Sequence, residues 1–220
     1  AGEITIPEGY RITTIVPLLA AALDVDADKL HALEEDPAFR RKIAGFDIES
    51  LEGLIMPLTY TVPAVWKRRP PAPEAVFRFL IDRSRTRLRE RFPEHVRDGD
   101  RFCSPAMYET LIIASLIEKE TADREERRLV SSVIHNRLER GDRLELCSSL
   151  LYVLPEGRTT PSQVDLTNLS PYNTYRHAGL PPSPICSPGF ASIEAALDPA
   201  ETALLYFRLE EDGTHRFSRR

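Results

Sequence analysis

Apolar side chains recur at the spacing of an α-helix along most of the chain. Residues 12–23 show this period, and Pro17 within the segment predicts a helix start near the proline. Two shorter helices are predicted within 26–43, the second opening at Asp36 and the proline after it. A longer helix is predicted over 73–92, with an apolar face formed by Phe77, Leu80 and Ile81.

The most apolar helix is predicted after Ser104, which precedes a proline and suits an N-cap. Apolar residues occupy every face over 108–117, so we expect this helix at the centre of its domain. A further helix is predicted from Asp123 to Gly141, with Glu126 in the position of a capping box. The second half of the chain is therefore expected to form around a buried helix.

Strand signals are short and lie near the two ends of the chain. Residues 4–6 predict a strand, and 51–62 predict a strand or loop. Residues 204–218 predict a terminal hairpin that turns at Asp212. The proline-rich segment 67–72 sustains neither helix nor sheet bonding, so it predicts a boundary between a small α/β portion and a larger helical one.

Composition restricts the class of protein. The 220 residues are 42% apolar and 29% charged, which is typical of a folded globular chain. A net charge of −5 argues against a nucleic-acid partner, because phosphate binding needs a basic surface. No segment approaches the roughly 18 apolar residues of a membrane span, and no signal-peptide pattern opens the chain.

Neither the cysteines nor the histidines have the spacing of a metal site, so we expect no metal and no cofactor. The cysteines are odd in number, which excludes a disulfide framework. They are expected to be small buried residues: Cys103, Cys147 and Cys186.

Glu118 and Glu120 close the apolar helix and are the first candidates for chemistry. Helix-terminal glutamates are usually solvated, but the apolar turn before this pair should place one carboxyl beside buried surface. Burial raises a carboxyl pKa, as a general acid near neutral pH requires. Residues two apart on a helix point about 200° apart, so the two cannot form a paired-carboxylate site. Periodicity does not choose between them.

The loop at 170–175 combines aromatic rings with amide and hydroxyl groups, the mixture that sugars require. Taken alone, it is more typical of an ordinary turn with packed tyrosines. The proline-rich segment 179–184 is expected to be extended and rigid, and could hold this loop in place.

Motifs along nearly the whole chain resemble those of the endolytic murein transglycosylases, the YceG-like or MltG family. Residues 115–121 resemble the family's S-I-I-E-K-E-T signature, and 136–138 match its N-R-L. Residues 51–60 are similar to L-E-G-x-L-F-P-D-T-Y, and 170–175 to the P-Y-N-T-Y loop. Further matches, in the family's order, are 179–182, 187–189, 195–196, 198–200 and His215 with 217–218.

The resemblance implies one catalytic glutamate, Glu120, that cleaves peptidoglycan glycan strands between N-acetylmuramic acid and N-acetylglucosamine. The muramic acid's own C6 hydroxyl would attack, leaving a 1,6-anhydro end, so a second carboxylate is not needed. The implied fold is α+β, with a small LysM-like α/β portion at 1–66 and a helix-rich catalytic domain with a few short strands at 73–220. Candidate substrate-binding residues are Asn136, Glu145, Tyr172, Asn173, Thr174, Tyr175 and Glu118.

The resemblance also implies an environment. Family members are typically held in the cytoplasmic membrane by an N-terminal anchor, which this sequence lacks, with the catalytic portion on the periplasmic or extracytoplasmic side. Peptidoglycan is the expected partner, together with the synthases that build the wall.

Three departures bear on the expected activity. Leu58 replaces the family's usual aspartate, Glu145 replaces a usual glutamine, and 146–149 differ from the usual T/S-D-P-T. They leave open a non-catalytic protein that binds or scaffolds the wall. They also leave open hydrolysis, in which Glu145 or Asp165 would face Glu120 across the cleft.

Overall fold

The computed structural model describes residues 2–97, 99–210 and 213–220 as helices joined by loops, with two antiparallel strand pairs. The strands in these residues are β1 Gly2–Thr5, β2 Thr59–Val62, β3 Tyr206–Leu209 and β4 His215–Ser218. The α-helices there are α1 Ile12–Leu23, α2 Ala27–Glu35, α3 Pro37–Ala44, α4 Pro73–Arg91, α5 Pro105–Glu120, α6 Arg124–Arg140, α7 Cys147–Leu151 and α8 Phe190–Leu197. This composition confirms the predicted α+β fold, while the LysM-like character of the first portion stays a prediction.

The chain divides into two compact units. The first comprises Ala1–Tyr108 together with Cys186–Pro188, and the second comprises Glu109–Ile185 together with Gly189–Arg220. The division falls within α5. The domain boundary predicted at 67–72 stays a prediction.

In the first unit, β1 and β2 pair antiparallel, with Ile4 opposite Tyr60. A buried carboxylate fixes the start of α1, because both oxygens of Glu52 accept the Ile12 N–H, at 3.0 and 2.9 Å. A carboxylate at this end also interacts favourably with the helix dipole. The predicted helices in this unit are confirmed, including the second short one that opens at Asp36.

Pro17 does not mark a helix start, as the sequence pattern predicted, but lies inside α1. A proline there removes one N–H that would bond to the carbonyl of Thr13. The apolar stripe of the helix outweighs that loss, since it is fully buried on both sides of the proline: Ile15, Val16 and Leu19.

The second unit contains the C-terminal part of α5 with α6, α7, α8 and the strands β3 and β4. Leu111, Ala114, Leu116 and Ile117 of α5 are fully buried, which confirms that this helix is central. The strands pair antiparallel with Leu209 opposite His215, so the terminal hairpin is confirmed. The turn predicted at Asp212 lies outside the described residues.

Both ends of α6 lie where the sequence predicted, but Glu126 is not part of a capping box. The Asp123 carboxylate accepts the Glu125 N–H at 2.8 Å, and Gly141 ends the helix in the left-handed conformation, at φ 70°. The Asp123 N–H instead donates to the Thr121 hydroxyl, at 3.1 Å. The Glu126 carboxylate is thereby left to accept bonds from other residues.

Across the described ranges, we find no helix with the length and apolar character that crossing a lipid bilayer requires.

Candidate active site

The carboxyl of Glu120 is enclosed at the last residue of α5, directly after the buried Leu116 and Ile117. Its Oε1 atom accepts the backbone N–H of Ser148 at 3.3 Å. Burial raises the pKa of Glu120, and hydrogen bonding to Ser148 and the charge of His215 oppose that rise. The surroundings therefore favour a protonated carboxyl more than water does.

Glu120 opens into a cleft of about 530 Å³ within the second unit. Its volume is in the range of small-molecule binding sites. The cleft is formed by the end of α5, the start of α7, the segment before α7, and the two C-terminal strands. Its polar lining residues include Arg137, Glu145, Ser148, Tyr175, Arg208 and His215.

Glu145 lies on the same cleft but in different surroundings. Its side chain is 46% exposed and pairs with Arg137, whose Nη1 lies 3.2 Å from Oε2. The residue has a φ of 53°, a conformation that non-glycine residues rarely adopt. Arg137 itself is buried and donates to the carbonyls of Leu144 and Leu205, at 2.8 and 2.7 Å.

Tyr175 lines the same cleft as the two carboxylates. Burial is the largest cause that raises the pKa of its phenol, and Cys147, Glu120 and Glu145 act in the same direction. The phenol oxygen is 3.0 Å from the Cys147 sulfur. Because burial and the neighbouring carboxylates all raise the pKa of this phenol, Tyr175 stays uncharged on the cleft.

Glu118 faces away from this cleft, as the spacing of two residues on a helix predicts. Its Oε2 accepts the Gly189 N–H at 3.0 Å and the Ser192 hydroxyl at 2.6 Å. Its Oε1 is 3.6 Å from Arg127, and both side chains are only 8% exposed. These contacts make Glu118 the cap of α8.

A histidine and a glutamate that pattern analysis did not pair are joined beside Glu120. Glu126 Oε2 is 2.6 Å from His215 Nδ1, and Oε1 accepts the His215 backbone N–H at 2.7 Å. Burial alone would raise the pKa of Glu126, but the bonds from His215 and Thr121 outweigh it and lower the pKa. His215 is a cleft residue, whereas Glu126 supports it from α6.

The whole chain, residues 1–220, matches the model of the YceG-like family. The chain belongs to the YceG-like family. An endolytic murein transglycosylase of Bacillus subtilis (strain 168) is 27% identical over 232 residues, which cover 100% of this chain and 62% of that protein. One from Streptococcus pneumoniae serotype 2 (strain D39) is 29% identical over 238 residues, which cover 93% of this chain and 40% of that protein. The chain thus spans less than two thirds of either relative.

A solved structure supports the same family. The 2.6 Å crystal structure of a YceG-like protein from Listeria monocytogenes matches with a TM-score of 0.81 at 27% identity. The match covers 100% of this chain and 73% of that one.

In this YceG-like chain, the loop at 170–175 supports the cleft through residues that do not line it. Asn173 is fully buried and donates to the carbonyls of Leu166 and Asn168, at 3.1 and 2.7 Å. The Thr174 hydroxyl accepts the Leu146 N–H at 2.9 Å, and its carbonyl accepts the Glu145 N–H at 3.1 Å. The loop therefore holds the segment that carries Glu145.

Two other predicted substrate-binding residues also lie outside the described cleft lining. Asn136 donates from Nδ2 to the carbonyls of Thr202 and Leu204, both at 2.9 Å. The Tyr172 hydroxyl is 2.6 Å from the Ser183 hydroxyl, as expected if the proline-rich segment holds the loop. Of the predicted set, the cleft brings together Glu120, Glu145 and Tyr175.

Residues that sequence reasoning missed form the rest of the lining. Arg137 follows Asn136 within the N-R-L motif, which was a usable signal. Tyr206 and Arg208 are two residues apart in β3, so their side chains lie on the same side of the hairpin. Their position on the cleft depends on pairing between distant parts of the chain, which no local pattern reports.

One cysteine prediction is wrong. Cys103 and Cys186 are buried as expected, but Cys147 is exposed, because the first turn of α7 borders the cleft. Asp165, the other carboxylate considered for hydrolysis, pairs with Arg158 and accepts bonds from Ser162. Among the described residues, no group of three or more His, Cys, Asp and Glu side chains is placed to hold a metal ion.

Proposed function

We propose that this chain is a lytic transglycosylase acting on peptidoglycan, with Glu120 as its general acid and base. It cleaves the bond between N-acetylmuramic acid and N-acetylglucosamine within glycan strands and leaves 1,6-anhydro-muramoyl ends. The observation that carries the proposal is the buried Glu120 carboxyl, with its raised pKa, opening into a cleft of about 530 Å³. The names of the Bacillus and Streptococcus relatives support the same reaction class.

The first step needs a proton on the leaving oxygen. Burial raises the pKa of Glu120, so this carboxyl keeps its proton to a higher pH than an ordinary glutamate and can supply it. After that transfer the carboxylate is stabilised by the Ser148 N–H, at 3.3 Å from Oε1. Glu120 can therefore exist in both protonation states, as an acid that later takes a proton back must.

The second step needs a nucleophile but no second carboxylate. An ordinary glycosidase uses one carboxyl as acid and another as base or nucleophile. In the proposed reaction the C6 hydroxyl of the muramic acid attacks the anomeric carbon, and its proton is returned to Glu120. The Glu118 side chain faces away from the cleft, which is consistent with a reaction that uses one glutamate.

The cleft also offers groups that bind sugars. Tyr175 and Tyr206 supply ring surface, and Arg137 and Arg208 supply donors. The guanidinium of Arg137 lies 4.7 Å from the centre of the Tyr206 ring, so these two groups are fixed relative to one another. We propose that they contact the glycan strand on either side of the cleaved bond.

The test is digestion of purified peptidoglycan, with mass spectrometry of the released ends. Glu120→Gln keeps the shape of the side chain but removes its proton, so anhydro ends should fall by at least about 100-fold. Glu109→Gln is the matched control, because Glu109 lies exposed on the same helix. Anhydro ends produced at the same rate by Glu120→Gln and wild type would contradict the proposal.

Two other functions are separated by the same digestion. Hydrolysis is favoured by one observation, that Glu145 shares the cleft with Glu120, and it would give reducing ends. A non-catalytic wall-binding protein would release no ends from the wild type while still sedimenting with peptidoglycan.

We further propose that the reaction takes place outside the cytoplasmic membrane, where peptidoglycan lies. An anchor outside these 220 residues would hold the protein at that membrane. Peptidoglycan synthases are the proposed protein partners. Fractionation of cells and cross-linking in the native organism would test both points. Recovery of the protein in the cytoplasmic fraction would contradict the first.

A further inference from the structure

The imidazole of His215 is held in place by hydrogen bonds as well as by packing. One oxygen of Glu126 lies 2.6 Å from Nδ1, and the other accepts the backbone N–H of the same residue at 2.7 Å. The Thr121 hydroxyl donates to Glu126 as well, at 3.0 Å, and Thr121 directly follows Glu120. The ring also meets Phe207 edge-on, with centroids 5.4 Å apart. Glu126 thus ties the histidine to the end of α5.

This arrangement decides which ring nitrogen is available. The bonds from His215 and Thr121 lower the pKa of Glu126, so its carboxylate is ionised and only accepts hydrogen bonds. The proton between the two groups therefore belongs to Nδ1. In a neutral ring the other nitrogen, Nε2, carries a lone pair. Within the described part of the chain Nε2 has no hydrogen-bond partner, and the residue lines the Glu120 cleft.

The proposed reaction needs two proton transfers, at two different oxygens of the substrate. Glu120 first gives a proton to the leaving oxygen, and its Oε1 accepts the Ser148 N–H at 3.3 Å. The C6 hydroxyl loses its proton in the later step. A second group on the cleft can take that proton from the C6 hydroxyl and pass it back to Glu120.

We propose that His215 is a second catalytic residue, whose Nε2 takes the proton of the attacking C6 hydroxyl after Glu120 has protonated the leaving oxygen. The inference rests on the proposed transglycosylase function and refines its proton route. The bond from C6 oxygen to the anomeric carbon forms, and the glycosidic bond breaks. One proton moves from Glu120 to the leaving oxygen, and one moves from the C6 hydroxyl to Nε2. The imidazolium then returns its proton through solvent to the Glu120 carboxylate.

The groups facing the ring suit this role. Glu126 of α6 stabilises the imidazolium that forms, and Glu120 of α5 is the acid. On the hairpin itself the neighbours are apolar rings, Phe207 and Phe217. The other charged groups of the cleft are Lys119, Arg137, Arg208 and Glu145.

The test is the pH dependence of anhydro-end formation by the 220-residue chain on purified glycan strands. A separate acid and base give the wild type a bell-shaped profile. His215→Gln should lower kcat about 100-fold, change KM less than about threefold, and remove one limb of the bell. His177→Gln, an exposed histidine away from the cleft, is the matched control and should keep the wild-type profile.

A second variant keeps the ring and changes only its support. Glu126→Gln removes the charge that stabilises the protonated ring, so kcat should fall about tenfold and the pH optimum should move to lower pH. This variant decides the matter if thermal unfolding shows that His215→Gln is misfolded.

The outcomes separate this inference from the function on which it rests. A folded His215→Gln enzyme that keeps both limbs and a near wild-type kcat overturns the role of His215 alone. A Glu126→Gln enzyme with an unmoved pH optimum does the same. A wild type that releases no anhydro ends overturns both proposals.

Discussion

Glu118 and Glu120 lie two residues apart on α5, yet their surroundings differ in kind. Every oxygen of Glu118 is engaged by Gly189, Ser192 or Arg127, and its side chain is 8% exposed. Glu120 accepts a backbone bond from Ser148 and opens into a cleft. The protein satisfies the carboxylate of Glu118, whereas the carboxyl of Glu120 is open to the cleft. Helix geometry makes this division possible, because neighbouring helix faces meet different partners.

The largest loss of stability is expected when the charge of Glu118 is removed. Glu118→Gln weakens the bonds to Gly189 and Ser192 and leaves Arg127 buried without its carboxylate. We expect the free energy of unfolding to fall by about 3 kcal/mol, as for other broken buried pairs. Urea denaturation measures this, with Glu109→Gln as control. An unchanged denaturation midpoint would mean that the cap on α8 is unimportant.

A smaller effect is expected where the loop at 170–175 holds the cleft wall. Thr174→Val keeps the shape of the side chain but removes the hydroxyl that the Leu146 N–H and Ser149 bind. Stability should fall by about 1–2 kcal/mol, because a buried N–H loses its partner. Cleavage per folded molecule should also fall, since the adjoining segment carries Glu145 and Ser148. Cleavage at the wild-type rate would show that the loop does not support the site.

Replacement of Glu120 should raise the stability of the protein rather than lower it. Burial raises the pKa of Glu120 in the folded protein, so folding favours its protonated form. Stability is therefore reduced as the pH rises from the unfolded pKa through the folded one. Glu120→Gln cannot ionise, so it should be more stable than wild type near neutral pH and equally stable in acid. Denaturation at several pH values measures the difference, and a destabilised variant at neutral pH would contradict this account.

The smallest change is expected at Glu145. Its pair with Arg137 is half-exposed on the carboxylate side, and such pairs contribute about 0–1 kcal/mol. Glu145→Gln, which introduces the residue usual in the family, should leave stability and anhydro products near wild type. Loss of cleavage in this variant, together with reducing ends from the wild type, would favour hydrolysis.

Local signals predicted the fold well, because caps and apolar periods act within a few residues. Ser104 and the apolar run after it predicted α5, and Asp123 and Gly141 predicted the ends of α6. Pro17 shows the limit, since burial of a whole helix face overrode the local preference of one residue.

The site was less predictable, since its contacts join distant residues. Glu118 meets Gly189 across 71 positions, and Glu126 meets His215 across 89. No window of sequence reports such pairings. The loop at 170–175 combines aromatic rings with polar groups and resembles the P-Y-N-T-Y motif, so its residues are predicted to bind sugar. Buried polar groups, however, also pair with one another. Asn173 and Thr174 do so. The choice of Glu120 over Glu118 came from the family resemblance, not from periodicity.

A side-by-side digestion tests most directly whether the proton of Glu120 cleaves the glycan. Glu120→Gln and Glu118→Gln are assayed for anhydro ends by mass spectrometry, with rates expressed per folded molecule. We expect a loss of at least about 100-fold for Glu120→Gln and a rate within a few-fold of wild type for Glu118→Gln. Anhydro ends that persist in Glu120→Gln, or that vanish only in folded Glu118→Gln, would contradict this role of Glu120.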